Sequence, residues 1–195
     1  MKRALIALLL LGPAARASVV VTYWTPRNVF MAADSRAAMP DGSRLPDVQK
    51  ITRRGHFLVG VTGLLRAPGF DLLAIVAAAQ GDRATSLAEA IVSAARLRIA
   101  ALPPLDVPAA FTVTVAGGEG RRTVIVLATL ASTRLLPGAS GYLATGRTGA
   151  IDAALAPLLG RSGERALPEL IRAQAAADTV YVGLPVQLLK LSAGD

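Results

Sequence analysis

Ser18 stands directly behind Ala15-Arg16-Ala17, a small-x-small stretch of the kind that signal peptidase cuts. Cleavage there would leave a hydroxyl and a free α-amine on one residue. A hydroxyl is a poor nucleophile until a base takes its proton, and an α-amine, with an ordinary pKa near ~7.7–8, is partly neutral at physiological pH. Ser18 would then carry both nucleophile and base. Lys50 is one of only two Lys in residues 18–195, against sixteen Arg, so a basic residue there would more often be Arg. A site that needs a titratable amine cannot use a guanidinium, which stays charged. Other chemistries drop out by composition. There is no Cys, and His56 is the only imidazole and falls in a hairpin turn, so a His-cluster metal site cannot be built and a Ser-His-Asp triad is disfavoured. No cofactor or metal is expected.

The residues in front of Ser18 have the plan of an export leader: Met1-Lys2-Arg3, an apolar run from Ala4 to Leu11, then Gly12-Pro13. Two regions are expected, a signal peptide over 1–17 and one domain over 18–195, exported to a periplasm or secreted. The apolar run is well short of the roughly 20 residues that span a bilayer, and no later segment is an uninterrupted candidate, so no stable membrane anchor is expected. The formal charge of +8 falls to +5 once Lys2, Arg3 and Arg16 are removed. With aromatics at 4%, the stacking platforms of single-strand binders are missing, and no nucleic-acid partner is expected.

The elements that must hold Ser18 and Lys50 follow from periodicity and turn residues. Ser18–Trp24 and Val29–Ala33 read as strands around a turn at Thr25–Asn28, and Asp34 ends the second. A polar loop over 36–49 leads to Lys50-Ile51-Thr52, a turn at Arg53-Arg54-Gly55 and a strand over His56–Val61. The period then changes to about 3.6, which predicts helices over Phe70–Gln80 and from the Ser86-Leu87-Ala88-Glu89 capping box onward, with Leu87, Ile91 and Ala94 on one face. Phe111–Ala116 and Thr123–Leu130 flank a glycine-rich turn at 117–120 as a third hairpin. Gly146–Leu159 and Ser162–Ala177 form a second helix pair, with faces Ile151/Leu155/Leu158 and Leu167/Leu170/Ile171. Thr179–Val182 and Val186–Leu191 close as strands. Segregated strands and paired helices predict an α+β fold: a four-layer αββα sandwich with two antiparallel sheets and two outer helix pairs.

Asn28-Val29-Phe30-Met31-Ala32-Ala33-Asp34-Ser35-Arg36-Ala37, followed by Asp47-Val48-Gln49-Lys50-Ile51, resembles the opening of proteasome β-type subunits, within the N-terminal nucleophile (Ntn) hydrolases. In that family an N-terminal Thr is the nucleophile, with an Asp sixteen and a Lys thirty-two residues on. Asp34 and Lys50 stand at those distances from Ser18. The resemblance implies that Lys50 lowers the pKa of the Ser18 amine and hydroxyl and that Asp34 holds Lys50 charged and oriented. It implies an oxyanion donor near Gly63. It also implies a Ser and a further Asp supporting the terminal amine, for which Ser140, in Gly138-Ala139-Ser140-Gly141, and Asp178 occupy the matching order. Ser18 replaces Thr and so lacks the methyl that restricts χ1.

The expected activity is hydrolysis of amide bonds in peptides or small acylated amides, through an acyl-Ser18 intermediate. Members of the family often assemble into rings, so a homo-oligomer is a possible state, with the Ala-rich stretches 74–79 and 173–177 as packing faces. Two alternatives stay open at this level: a small-molecule amidase or acylase on the same fold, and an exported binding or assembly module without turnover.

Overall fold

The computed structural model describes residues 5–6, 18–38, 43–45, 47–105, 109–120, 122–155 and 163–192. In chain order the strands are β1 (Leu5–Ile6), β2 (Val19–Trp24), β3 (Asn28–Ala33), β4 (Ala37–Ala38), β5 (Arg44–Leu45), β6 (Ile51–Arg54), β7 (Phe57–Gly63), β8 (Arg66–Ala67), β9 (Phe70–Asp71), β10 (Phe111–Glu119), β11 (Arg122–Thr129), β12 (Thr133–Leu136), β13 (Gly141–Gly146) and β14 (Gln187–Ser192). The helices are α1 (Leu72–Ala78), α2 (Ala84–Ala100), α3 (Ile151–Leu155) and α4 (Gly163–Ala177).

Two five-stranded sheets dominate, ordered β1-β13-β2-β3-β14 and β12-β11-β10-β7-β6. All their pairings are antiparallel except that of the two-residue β1 with β13. β2 shows why its run Val-Val-Val-Thr-Tyr-Trp is buried almost throughout. Its side chains alternate: Val19 and Val21 join one apolar cluster with Ile151, Leu167, Leu170 and Ile171, whereas Val20 and Trp24 join another with Met31, Leu58, Ile125 and Leu143. A strand covered on both faces reads as a continuous apolar run. A third cluster sets Leu72, Val76, Leu87 and Ile91 of α1 and α2 against Val113 and Val126 of the other sheet. The result is a mixed α/β fold with antiparallel sheets and few helices.

Both predicted N-terminal hairpins form, as do the β10–β11 hairpin and helices in both predicted pairs. Several boundaries differ for identifiable reasons. α1 begins at Leu72, after Phe70 has paired in β9, because the Asp71 carboxylate accepts from the Leu73 and Ala74 amides. α2 begins at Ala84, ahead of the predicted box: Ser86 Oγ accepts from the Arg83 amide at 3.1 Å, and Glu119, distant in sequence, accepts from the Ala84 amide at 2.6 Å. Gly117 and Gly118 of the predicted 117–120 turn instead belong to β10, which runs to Glu119, and Gly120 makes the turn at φ +63°. Gly146 belongs to a strand, not to the predicted 146–159 helix, which the structure shows from Ile151 to Leu155. Thr179–Val182 is a turn and not a strand, because Asp178 accepts from the Tyr181 amide through its side chain and from the Val182 amide through its carbonyl. The cleavage stretch, Leu158 and Ser162 lie outside the described residues.

Where the two sheets meet, Gly60 of β7 lies under Met31 and Val20; a Cβ there would stand 2.7 Å from Met31 Sδ and 2.8 Å from Val20 Cγ1. Gly60→Val is therefore expected to destabilise the protein by about 1–3 kcal/mol, measured by urea unfolding. Gly118→Ala, whose Cβ meets nothing within 4 Å, is the control and should change stability by under about 0.5 kcal/mol.

Candidate active site

Asp34 ends β3, and both of its carboxylate oxygens are fully engaged. Oδ1 accepts from the Val19 amide at 2.8 Å and from Lys50 Nζ at 2.7 Å; Oδ2 accepts from the Arg36 amide at 3.0 Å and the Gly183 amide at 3.1 Å. The Asp34 and Lys50 side chains are wholly inaccessible to solvent. Asp34 thus grips both Lys50 and the peptide unit that follows Ser18. A second link runs the other way, with the Asp34 amide donating to the Val19 carbonyl.

Lys50 lies just before β6, in the other sheet. Its Nζ donates to Asp34 Oδ1 and to the Arg36 carbonyl. Its backbone is fixed by Gln187, the first residue of β14, whose Oε1 accepts from the Lys50 amide at 2.9 Å while Nε2 donates to the Val48 carbonyl at 2.6 Å. One side-chain amide bridges the two sheets at the site. Burial pushes the Lys50 ammonium down to about 8, with the Arg36 charge adding to the shift; the Asp34 carboxylate opposes both. Desolvation outweighs the partner's attraction, so this amine titrates near physiological pH, as a site that tunes proton affinity requires.

Ser18 is buried, and its Oγ has no hydrogen-bond partner among the described residues. Its φ of 144° lies where L residues are strained. The Ser18 carbonyl accepts from the Arg147 amide at 2.9 Å. Gly146, at φ +88°, sits so close that a Cβ would strike that carbonyl oxygen and approach Thr62 Cγ2 at 3.3 Å. Only glycine fits at this corner. Thr62 is fully buried, its Oγ1 without a partner among the described residues, and Gly63 follows it at the end of β7 with φ +94°.

Of the residues expected from sequence, Asp34 and Lys50 are in direct contact, and Asp34 holds the amide after Ser18. Asp178 is connected less directly. Its Oδ2 lies 3.5 Å from Arg147 Nε, and the Arg147 guanidinium stacks on Tyr181 at 4.5 Å, so Asp178 steadies the residue whose amide holds Ser18. Ser140 is not at the site. It is exposed and precedes β13, at the end where Gly141 pairs with Trp24, whereas Gly146 pairs with Val19 at the other end; the six residue steps to Gly146 put it roughly 20 Å away. The glycines around Ser140 serve Trp24 instead: a Cβ on Gly141 would strike the indole, and Trp24 Nε1 donates to the Gly138 carbonyl at 3.2 Å. Gly146 and Arg147 take the place at the site that was expected of Ser140. Gln187 and Gly183 also went unread, since an isolated Gln and a Gly before Leu-Pro carry no spacing signal.

The Lys50 pKa predicts opposite-looking behaviour to a surface lysine. Because its folded value of about 8 lies below the ordinary 10.5, the unfolded chain binds the proton more tightly, and stability must rise as pH increases between those values. Measured by urea unfolding, the stability of the protein relative to Lys50→Met should rise from pH 8 to pH 10.5, by at most roughly 3 kcal/mol. A flat difference would show that Lys50 has its ordinary pKa.

No protein-family model matches the sequence, and no curated protein matches it. Solved structures match over nearly the whole chain. BPH from Thiobacillus denitrificans, solved in complex with epoxomicin, is 20% identical with a TM-score of 0.61, covering 90% of this chain and 98% of its own. HslV from Trypanosoma brucei is 15% identical with a TM-score of 0.60, covering 89% of this chain and 99% of its own. Anbu from Pseudomonas aeruginosa, solved as a helical assembly, is 13% identical with a TM-score of 0.64, covering 89% of this chain and 81% of its own. The chain has the fold of the proteasome-like Ntn hydrolases.

Proposed function

We propose that this chain is an exported, proteasome-like peptidase, an αββα sandwich in four layers whose nucleophile is Ser18, released by cleavage after Ala17. The observation that carries this reading is the buried 2.7 Å contact between Lys50 and Asp34, with the same Asp34 oxygen accepting from the Val19 amide. A buried ion pair adds little net stability, because desolvation offsets most of its attraction. Placing one beside the peptide unit of a buried serine whose Oγ has no partner among the described residues makes sense where chemistry needs a charge there.

In this reading Ser18 Oγ attacks the carbonyl carbon of a peptide bond, and its proton passes to the Ser18 α-amine. Lys50 lowers the proton affinity of amine and hydroxyl and stabilises the alkoxide as it forms. The Gly63 amide donates to the carbonyl oxygen as it becomes negative, an interaction typically worth about 10²- to 10³-fold. Collapse of the tetrahedral adduct breaks the C–N bond. The α-ammonium returns the proton to the leaving amine, and water then hydrolyses the acyl-Ser18 ester by the same route. Asp34, and Asp178 through Arg147, act as positioning residues. The assembly seen for Anbu supports a homo-oligomer here as well.

Two measurements test the reading. The intact mass of protein recovered from the export compartment should begin at Ser18; a different start removes the nucleophile and ends the proposal. Mature protein should then be acylated once by a β-lactone and should react with epoxomicin, with Ser18→Ala unreactive and Lys50→Ala slowed by about 10² or more. The acylation rate should follow a bell-shaped pH profile, rising as the α-amine loses its proton and falling above pH 8 as Lys50 loses its charge.

A further inference from the structure

Beside Lys50 a cavity of about 330 Å³ opens, near the lower end of the range for ligand pockets. Most of its lining is apolar, with Leu45, Val48, Val59, Val61, Leu73 and Val76, while Gln49 and Thr52 are its neutral polar residues. Of its charged residues, Lys50 is already committed to Asp34, and Asp47 is exposed. That leaves Arg66. Its side chain also borders a larger groove of about 840 Å³ along α1 and α2, so Arg66 stands in the wall between the two spaces.

An arginine facing an apolar pocket ordinarily selects a carboxylate, which its planar fork binds well. Arg66 is compensated in advance: its Nε lies 3.0 Å from Asp71 Oδ2. The two residues are cross-strand partners in the β8–β9 hairpin. Asp71 is not free to swing away, because its other oxygen caps α1, accepting from the Leu73 amide at 2.9 Å and the Ala74 amide at 3.1 Å. Carboxylate, hairpin and helix start hold one another in place.

We infer that Asp71 sets the substrate class of this site: by holding Arg66 in an ion pair at the cavity wall, it makes the cavity select a large apolar side chain rather than an acidic one. This rests on the acyl-transfer reading above, and on the cavity's place beside Lys50, which puts it within reach of the substrate side chain next to the bond that Ser18 attacks. Asp71→Asn isolates the effect. Asparagine caps a helix about as well as aspartate and keeps the side-chain shape, so what changes is the charge opposite Arg66.

The test uses mature protein and fluorogenic peptide amides that differ only in the residue before the cleaved bond: Leu, Phe, Glu or Lys. Wild type should favour Leu and Phe over Glu and Lys by at least about 10-fold in kcat/KM. Asp71→Asn should raise the Glu-to-Leu ratio by up to about 5-fold, the range of a partly exposed ion pair, and adding Arg66→Gln should return it to the wild-type value. A second arm needs no turnover: in Ser18→Ala, the methyl NMR signals of Val48, Leu73 and Val76 are followed during titration with the Leu and Glu peptides. They should shift at lower concentrations of the Leu peptide, with the gap narrowing in Asp71→Asn. A wild-type preference for Glu or Lys, or a ratio that Asp71→Asn leaves unmoved, overturns the inference. If no peptide is cleaved and no electrophile labels Ser18 while the Leu peptide still binds selectively, the acyl-transfer reading falls and the assignment of Asp71 to pocket selectivity stands.

Discussion

Four donors converge on the Asp34 carboxylate, and most of what is distinctive in this structure is arranged to bring them there. The Val19 amide comes from β2, the Arg36 amide from the chain just past β3, the Gly183 amide from the turn ahead of β14, and the Lys50 ammonium from the other sheet. A carboxylate with three amides and a cation is well satisfied without water. Lys50 is less so, since burial costs it more than Asp34 returns. The pair is therefore asymmetric: the acid is fully hydrogen-bonded, whereas burial pulls the amine down to about 8.

The sheets must approach closely for this to happen, and they do so through residues that lack side chains or stack efficiently. Gly60 gives Met31 and Val20 room between the sheets. Gly146 lets β13 end against the Ser18 carbonyl. Trp24 fills the far end of the same sheet, over Gly141. Overpacking at Gly60 would push apart the two sheets that bring Lys50 to Asp34, because interiors are close-packed and transmit strain.

Much of this was legible in the sequence. Alternation and turn residues placed the N-terminal hairpins and the β10–β11 hairpin, and the scarcity of Lys together with the proteasome-like strings singled out Asp34 and Lys50. What escaped was whatever depends on neighbours distant along the chain. The start of α2 is set by Glu119, a residue on a hairpin, and no local rule contains it. Gly138–Gly141 reads as a functional glycine-rich turn but exists to seat an indole, so Ser140 was assigned to the wrong end of a strand. β13 ends at Gly146, whose positive φ goes with its close approach to the Ser18 carbonyl, a contact that no local rule predicts. Gln187 is invisible as a bridge, since a polar residue at the head of an apolar strand looks like any strand edge.

That bridge bears on how the protein comes into being. Gly183 completes the shell around Asp34, and Gln187 fixes the backbone of Lys50 from 137 positions away. During synthesis the ribosome delivers Ser18, Asp34 and Lys50 well before either partner exists. Contacts of such long range form late, after the loop-closure entropy has been met. A nascent chain therefore holds Asp34 and Lys50 without their geometry, and the shell around them closes only when β14 docks beside β3. The C-terminal strand among the described residues acts as a latch, so the buried ion pair is assembled only once nearly two hundred residues have been made.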